Sequence, residues 1–240
     1  MTGQVYLIPT VLQDDQLAFD ALPLYILQAI KSCDIFFAEN IKTTRRYFKK
    51  WWKEMIIDNY EWYAIHKIED QQLEAFKAHI LAGKNIGIIS EAGCPGVADP
   101  GQYLVEIAQQ LGATVHPMVG PNSILLALMA SGMNGQQFQF SGYLPIDGLQ
   151  RKKALQALEA DSKKRNCTQI FIETPYRNRQ LVEDILSSCH PDTRLCIAVD
   201  ITSAKESIRT RKLSQWKSTF DQLNLHKRPA IFLIQAGQEK

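Results

Sequence analysis

Asn85-Ile-Gly-Ile-Ile-Ser-Glu-Ala-Gly-Cys-Pro-Gly-Val-Ala-Asp-Pro-Gly101 is the stretch whose reading decides the fold. Ile86, Ile88 and Ile89 form a short apolar β-branched run behind the Ala82-Gly83-Lys84 break, the pattern of a buried parallel strand. Gly93, Pro95, Gly96, Pro100 and Gly101 follow closely, so no ladder continues and main-chain N–H and C=O groups are left exposed. Leu104, Ile107, Ala108 and Leu111 then recur at helical spacing, and Ala113 to Met118 is extended again. The unit is strand, loop, helix, strand. Its loop lies where open α/β sheets bind ligands, outside the carboxyl ends of the strands. A tight βα turn would explain an isolated Gly-Pro cluster; the length of this one, with Glu91 and Asp99 inside it, points to a binding loop.

Toward the N-terminus, Val5 to Pro9 reads as a strand with a proline stop, followed by a polar loop from Thr10 to Gln16 that contains no glycine. Pro23 suits a first helical turn, with Leu24, Leu27 and Ile30 giving one face. Ile35 to Ala38 is a second strand, ending in Glu39-Asn40. Lys42 to Lys53 is both basic and aromatic: on a helix Tyr47 and Trp51 share a stripe, as do Phe48 and Trp52, while Arg45, Lys49 and Lys53 share another. A helix with buried rings and solvated charges accounts for this pattern. RNA contact through Arg45, Arg46, Lys49 and Lys50 is the second reading, because basic groups beside stacking rings are what RNA surfaces use. Ile65 to Ile68 is a further strand candidate, with His66 at the surface, and Gln71 to Leu81 is an amphipathic helix burying Leu73, Phe76 and Ile80.

Toward the C-terminus, Gly120-Pro121 is the expected hinge, dividing a domain over 1–119 from one over 120–240. Asn122 or Ser123 is placed to cap the apolar helix that follows, from Ile124 to Ala130. The unpaired N–H groups of that helix start would face a cleft between the domains. The second domain carries expected strands over Phe138–Leu144, Gln169–Glu173, Arg194–Ile201 and Arg228–Gln235, and helices over Lys152–Ser162 and Asn178–Ser187, the latter with Leu181, Ile185 and Leu186 on one side. Glu206 to Arg211 reads as polar extended or turn structure.

With 240 residues, 45% hydrophobic and 22% charged, the chain has room for two ordinary domains and is neither disordered nor a disulfide scaffold. A formal net charge of +2 is too small to imply nucleic acid by itself. The cysteines, Cys33, Cys94, Cys167, Cys189 and Cys196, are odd in number and contain no C-x-x-C pair, so no disulfide framework or metal site is indicated. Cys94 lies in the glycine loop, but no histidine stands near it in sequence to activate a thiol nucleophile. With no basic n-region ahead of an apolar run and no run of membrane-spanning length, the sequence reads as that of a cytoplasmic protein.

The loop Glu91-Ala-Gly-Cys-Pro-Gly-Val-Ala-Asp-Pro-Gly101 closely resembles the signature loop of the tetrapyrrole methylase superfamily. Within it, the resemblance is to the branch of the bacterial small-subunit rRNA ribose 2′-O-methyltransferases. Four other places agree in order: Tyr6-Leu-Ile-Pro-Thr10; Val119-Gly-Pro-Asn-Ser123 with the following Ala/Leu helix and Ser131-Gly132; Phe140-Ser-Gly-Tyr-Leu-Pro145; and Glu173-Thr-Pro-Tyr-Arg177. The resemblance covers nearly the whole chain. It implies two α/β domains with S-adenosyl-L-methionine in the cleft between them, and usually a homodimer. On that basis Pro9, Ser90, Gly93, Gly96, Val97, Ala98, Asp99, Pro121, Asn122, Ser123, Thr174 and Pro175 are the expected cofactor contacts.

The chain also departs from the resemblance. Val11-Leu12-Gln13-Asp14-Asp15 stands where those enzymes carry a Gly-Asn loop, Glu39-Asn40-Ile41-Lys42 where they carry Glu-Asp-Thr-Arg, and Ser203 where they carry a lysine. The last strand ends close to Lys240, without the small C-terminal extension the resemblance leads one to expect. Cofactor binding is therefore better specified than the acceptor. A ribose hydroxyl is a poor nucleophile and needs a proton acceptor; Glu91, Glu39 and Lys205, with Glu173 beside them, are the candidates. Three functions remain: an RNA ribose methyltransferase acting on ribosomal RNA or the small ribosomal subunit, a methyltransferase of a small molecule such as a tetrapyrrole precursor, or a non-catalytic binding protein of the same fold.

Overall fold

The computed structural model describes residues 2–14, 17–65 and 70–237. The chain forms two compact units, Met1–Asn122 and Ser123–Lys240. In the first, β1 (Gln4–Ile8), β2 (Ile35–Ala38), β3 (Glu61–Ala64), β4 (Ile86–Ile89) and β5 (Thr114–Pro117) make a sheet ordered β3-β2-β4-β1-β5. Every pairing in it is parallel. β2 and β4 are buried at all positions, which is why they read as continuous apolar runs.

The helices α1 (Tyr25–Ser32), α2 (Ile41–Trp51), α3 (Asp70–Leu81) and α4 (Gln102–Gln110) cover the two faces of this sheet in pairs. α1 and α2 pack Ile26, Ile30, Tyr47 and Phe48 on Ile8, Phe36 and Ile89. α3 and α4 pack Phe76, Ile80, Leu104 and Ile107 on Val5, Ile35, Phe37, Ile86 and Ile88. A side chain at Gly87 would meet Phe36 and Ile8 at under 3 Å, so this glycine makes room for the first of these layers.

β1 and β4 are neighbours, yet the chain leaves β1 toward α1 on one face and leaves β4 toward α4 on the other. A crevice at the carboxyl ends of β1 and β4 results, flanked by residues 9–14 and 90–101, and this is the ligand position of doubly wound sheets.

In the second unit α5 (Ser123–Ser131) precedes β6 (Phe138–Tyr143), α6 (Gly148–Arg165), β7 (Thr168–Ile172), α7 (Asn178–Ser188), β8 (Arg194–Val199), β9 (Ser207–Lys212), α8 (Leu213–Trp216) and β10 (Ala230–Gln235). The sheet order is β6-β7-β10-β8-β9. β6 and β7 are parallel, and the other pairs antiparallel. β10 is buried throughout at the centre, and its core gathers Phe171, Leu181, Ile185, Trp216 and Phe232.

Two expectations need correction. The buried face of α1 is Ile26, Ala29 and Ile30, because Leu24 is the residue before the helix and stands 86% exposed. The strand expected from Ile65 onward lies at Glu61–Ala64; Ile65 closes it with an N–H to the Ala38 carbonyl at 3.0 Å, and His66 to Ile68 fall outside the described residues. Of the two readings of the polar segment after Glu206, extended or turn, the structure has the extended one: it is a regular strand, β9, paired along its length with β8. As an edge strand it needs to bury only part of its surface, so its charges mask it in sequence.

Candidate functional site

The site is built where the loops after β1, β2 and β4 meet. Thr10 anchors the first to the third: its N–H donates to the Gly93 carbonyl at 2.9 Å and its hydroxyl to that of Ser90 at 3.3 Å. Pro9 is held from behind, its carbonyl accepting the Tyr47 hydroxyl at 2.9 Å. A side chain at Gly120 would lie 2.2 Å from Pro9 Cβ, so the segment leading to Pro121 approaches Pro9 as only glycine allows. Cys94 adds a bridge, its thiol donating to the Gly120 and Pro121 carbonyls at 3.5 Å each. Burial pushes that thiol above its ordinary value, the opposite of what a thiolate nucleophile needs.

Inside the loop, Asp99 Oδ1 accepts the N–H groups of Gly96 at 3.0 Å and Gly101 at 2.7 Å. Those bonds close a turn in which Gly93, Gly96 and the non-glycine Ala98 all take positive φ, +76°, +79° and +55°. A left-handed alanine costs free energy, and such backbone persists where its surroundings impose it, often at ligand sites. Val97 and Ala98 are exposed at the tip, whereas Ser90 is buried and points its hydroxyl at the loop carbonyls of Ala92 and Gly93.

Two of the proposed proton acceptors stand here. Glu39, at the end of β2, accepts the Glu91 N–H on Oε2 at 2.7 Å, which makes it a brace for the loop. Glu91 is exposed; its Oε1 accepts from Asn40 Nδ2 at 3.2 Å. Asn40 also caps α2, its Oδ1 accepting Lys42 N–H at 3.1 Å and Thr43 N–H at 3.3 Å. An Asn directly before a helix is a cap signal in sequence, and Asn40 carries it.

Asp99 departs from ordinary carboxylate behaviour. Burial raises its pKa, the Gly96 and Gly101 N–H groups oppose the rise, and the neighbouring Glu39 carboxylate adds to it. Its Oδ2 is buried with no hydrogen-bond donor among the described residues, the Glu39 carboxylate being its neighbour. A raised pKa means that the folded chain binds the proton more tightly than the unfolded one. The stabilisation is therefore complete below the ordinary carboxylate range and is lost as pH rises through the raised value. Asp99→Asn keeps an acceptor for the two N–H groups and has no charge to bury. It is expected to flatten this limb of the stability–pH profile, measured by urea unfolding at a series of pH values, and to be at least as stable as the wild type at neutral pH. Asp99→Ala removes the acceptor and is expected to weaken cofactor binding about tenfold, about 1.4 kcal/mol, in a calorimetric titration.

The orphaned Asp99 oxygen, the exposed loop main chain and the carboxylates of Glu39 and Glu91 suit a ligand that is cationic at its centre and rich in hydrogen-bonding groups. S-adenosyl-L-methionine, a sulfonium with amino, carboxylate, ribose and adenine groups, is such a ligand.

The remaining expected cofactor contacts, with Glu173 and Lys205, belong to the second unit, apart from Asn122, the last residue of the first. Ser123 opens α5. Thr174 and Pro175 follow β7, and the Thr174 N–H donates to Glu173 Oε1 at 2.6 Å. That oxygen also accepts Arg177 Nε and Nη2 at 3.0 and 2.7 Å, so Glu173, 5% exposed, is a paired structural carboxylate. Lys205 lies in an exposed turn after β8. Its N–H donates to Ser203 Oγ at 3.0 Å and its carbonyl accepts from Arg228 Nη2 at 2.8 Å. Arg228 in turn bonds Asp200 at 2.7 Å. Asp200 and Thr202 have φ of +49° and +70°, and the Thr202 hydroxyl is buried without a partner among the described residues. This second strained segment had no sequence signal, since neither residue is a glycine.

Of the four basic residues expected on α2, Arg45 lies over the Trp62 ring at 4.9 Å, and Lys49 donates to the Met55 carbonyl at 2.8 Å beyond the helix end. Arg46 and Lys50 line a cavity of about 340 Å³ that also touches Ser90 and Glu91. Glu91 borders a second, shallower cavity with Glu39 and Asn40.

Comparison with known proteins fits this geometry. A solved structure titled as that of the methyltransferase CobJ superposes with a TM-score of 0.61 at 15% identity, covering 98% of this chain and 95% of that one. The ribosomal RNA small subunit methyltransferase I of Escherichia coli O157:H7 is 30% identical over 86% of this chain and 68% of its own length. The protein of the same name from Bacillus subtilis is 29% identical over 89% of this chain and 68% of its own length. The family model for tetrapyrrole (corrin/porphyrin) methylases matches residues 18–216. The chain belongs to the tetrapyrrole methylase family, and its activity class is methyl transfer from S-adenosyl-L-methionine.

Proposed function

We propose that this enzyme methylates a ribose 2′-hydroxyl of small-subunit ribosomal RNA. The observation that carries the reading is the similarity, over most of the chain, to two proteins named for small-subunit rRNA methylation. Bound S-adenosyl-L-methionine supplies an electrophilic methyl group. In our reading the first unit contributes a seat for it, the loop from Ser90 to Asp99 with Pro9, Pro121 and Asn122; Ser123, Thr174 and Pro175 are assigned as cofactor contacts on the family resemblance. Glu91 takes the 2′-hydroxyl proton as the oxygen is alkylated, and Glu39 keeps the Glu91 backbone in place. Holding acceptor and donor in line is worth roughly 7–11 kcal/mol in favourable cases. Lys205, in its exposed turn, is assigned to the acceptor side.

We also assign the enzyme a homodimeric state and a cytoplasmic location, where its substrate resides. The exposed apolar side chains of edge strand β6, Phe138 and Tyr143, and of Ile146 and Leu149 beyond it, support the dimer. No helix among the described residues is long and apolar enough to cross a membrane.

The test is to incubate the purified protein with methyl-labelled cofactor and undermodified small ribosomal subunits, then separate RNA from protein and small molecules. Label is expected in the RNA, in a 2′-O-methylnucleoside after digestion. Label confined to small molecules, or no transfer, overturns the reading.

A further inference from the structure

The four basic residues of α2 divide by what they touch. Arg45 is spent on Trp62 and Lys49 on the Met55 carbonyl, both structural contacts. Arg46 and Lys50, one helical turn apart and so on one face, turn to the 340 Å³ cavity between the loop after β1, α2 and the start of the glycine loop. Arg46 is exposed and makes no ion pair among the described residues. Lys50 is paired with Asp14, a residue of the β1 loop, and lies 5.6 Å over the Phe19 ring. The Asp14 side chain is 82% exposed and that of Lys50 49%, so solvent screens their ion pair and it is easily exchanged. The cavity thus has, among the described residues, a guanidinium without an ion pair, an ammonium with a weakly held carboxylate, and Glu91 in its lining.

We propose that this cavity is a phosphodiester subsite that receives the RNA phosphate flanking the ribose to be methylated, with Arg46 and Lys50 as its two cationic contacts and Asp14 as an internal counter-ion that the phosphate displaces. The proposal rests on the reading of RNA as acceptor. A guanidinium fork beside an ammonium matches phosphate oxygens, and the arriving anion takes over an ammonium already drawn toward a carboxylate. The position fits, because the same cavity touches Glu91, so a phosphate held there sets the adjoining ribose near the group that takes its proton. Phosphate contacts fix position without reading sequence. The subsite therefore governs affinity, while nucleotide choice is made elsewhere.

The experiment measures binding of undermodified small subunits, and of a single-stranded RNA fragment containing the methylated position, as a function of salt. Arg46→Gln and Lys50→Gln are each expected to weaken binding about tenfold and to reduce the salt slope by about one. Asp14→Asn is expected to tighten binding severalfold, and Lys53→Gln, outside the cavity, to change nothing. Calorimetric cofactor affinity should be unaltered in all four, which separates lost contacts from lost folding. If the wild type binds and methylates RNA while Arg46→Gln and Lys50→Gln match it in affinity and slope, the subsite is overturned and the function stands. If the wild type neither binds nor methylates RNA, the function falls first. Inorganic phosphate binding as tightly as the RNA, and lost in the same variants, would assign the cavity to a phosphate-bearing small molecule and overturn the RNA assignment.

Discussion

Replacing Arg151 by Met is expected to destabilise the second unit by about 3–5 kcal/mol. Arg151 and Asp184 are 5% and 4% exposed, and join α6 to α7 through Nε at 2.7 Å and Nη2 at 2.5 Å, both to Asp184 Oδ2. Nη1 also donates to the Ile146 carbonyl at 2.7 Å and the Pro145 carbonyl at 3.3 Å. With the guanidinium gone, Asp184 keeps, among the described residues, only Lys152 at 3.6 Å and the Gln180 amide at 3.4 Å, while two carbonyls lose their donor. A buried carboxylate stripped of its main partner carries nearly the whole desolvation cost. Hydrogen exchange is the suitable measurement, because it reads each unit separately: peptides from α6, β7 and α7 should lose protection while those from β1 and β4 do not. Arg151→Met with Asp184→Leu should recover much of the loss, since removing both charges removes the uncompensated one. A single-variant effect below about 1 kcal/mol would show that the pair is not what joins these helices.

This ion pair marks a limit of sequence reading. Lys152 to Ser162 is legible as a helix with a charged outer face, but nothing local distinguishes Arg151, which is buried, from Lys152, which is not; its partner lies 33 residues away. β2 and β4 are legible because burial on both faces leaves an uninterrupted apolar run. β9 is not, because an edge strand can be charged and still pair. The same division holds at the site. Glycines and prolines expose the loop from Gly93 to Gly101, whereas the bonds that shape it come from Asp99, Glu39 and Asn40, polar residues whose role depends on which strands are neighbours. The strand order β3-β2-β4-β1-β5 brings Glu39 and Glu91 together from adjacent strand ends, and no periodicity reveals that order. The basic helix shows the converse: four cations look alike in sequence, and only tertiary contact separates two that brace the fold from two that face a cavity.

Glu91→Gln is expected to lower kcat for RNA methylation by about 100-fold or more, with cofactor affinity within about threefold of the wild type. The range expected for a positioned proton acceptor is about 10²–10⁴-fold. Glu91 combines the properties required: it stands at the carboxyl end of β4 where the switch-point crevice opens, it is exposed, and Asn40 fixes one of its oxygens while the other is left for substrate. A glutamine side chain in its place would fill the same space and keep an oxygen for Asn40 Nδ2, so the seat of the loop is preserved and only the base is lost. Glu39 separates the two roles. Its Oε2 is committed to the Glu91 N–H, and Glu39→Gln retains an acceptor there, so its effect should be small, whereas Glu39→Ala should release the loop and raise KM for the cofactor. A Glu91→Gln enzyme that kept kcat within about threefold would remove Glu91 from the chemistry and leave alignment of the two reactants as the main contribution of the site.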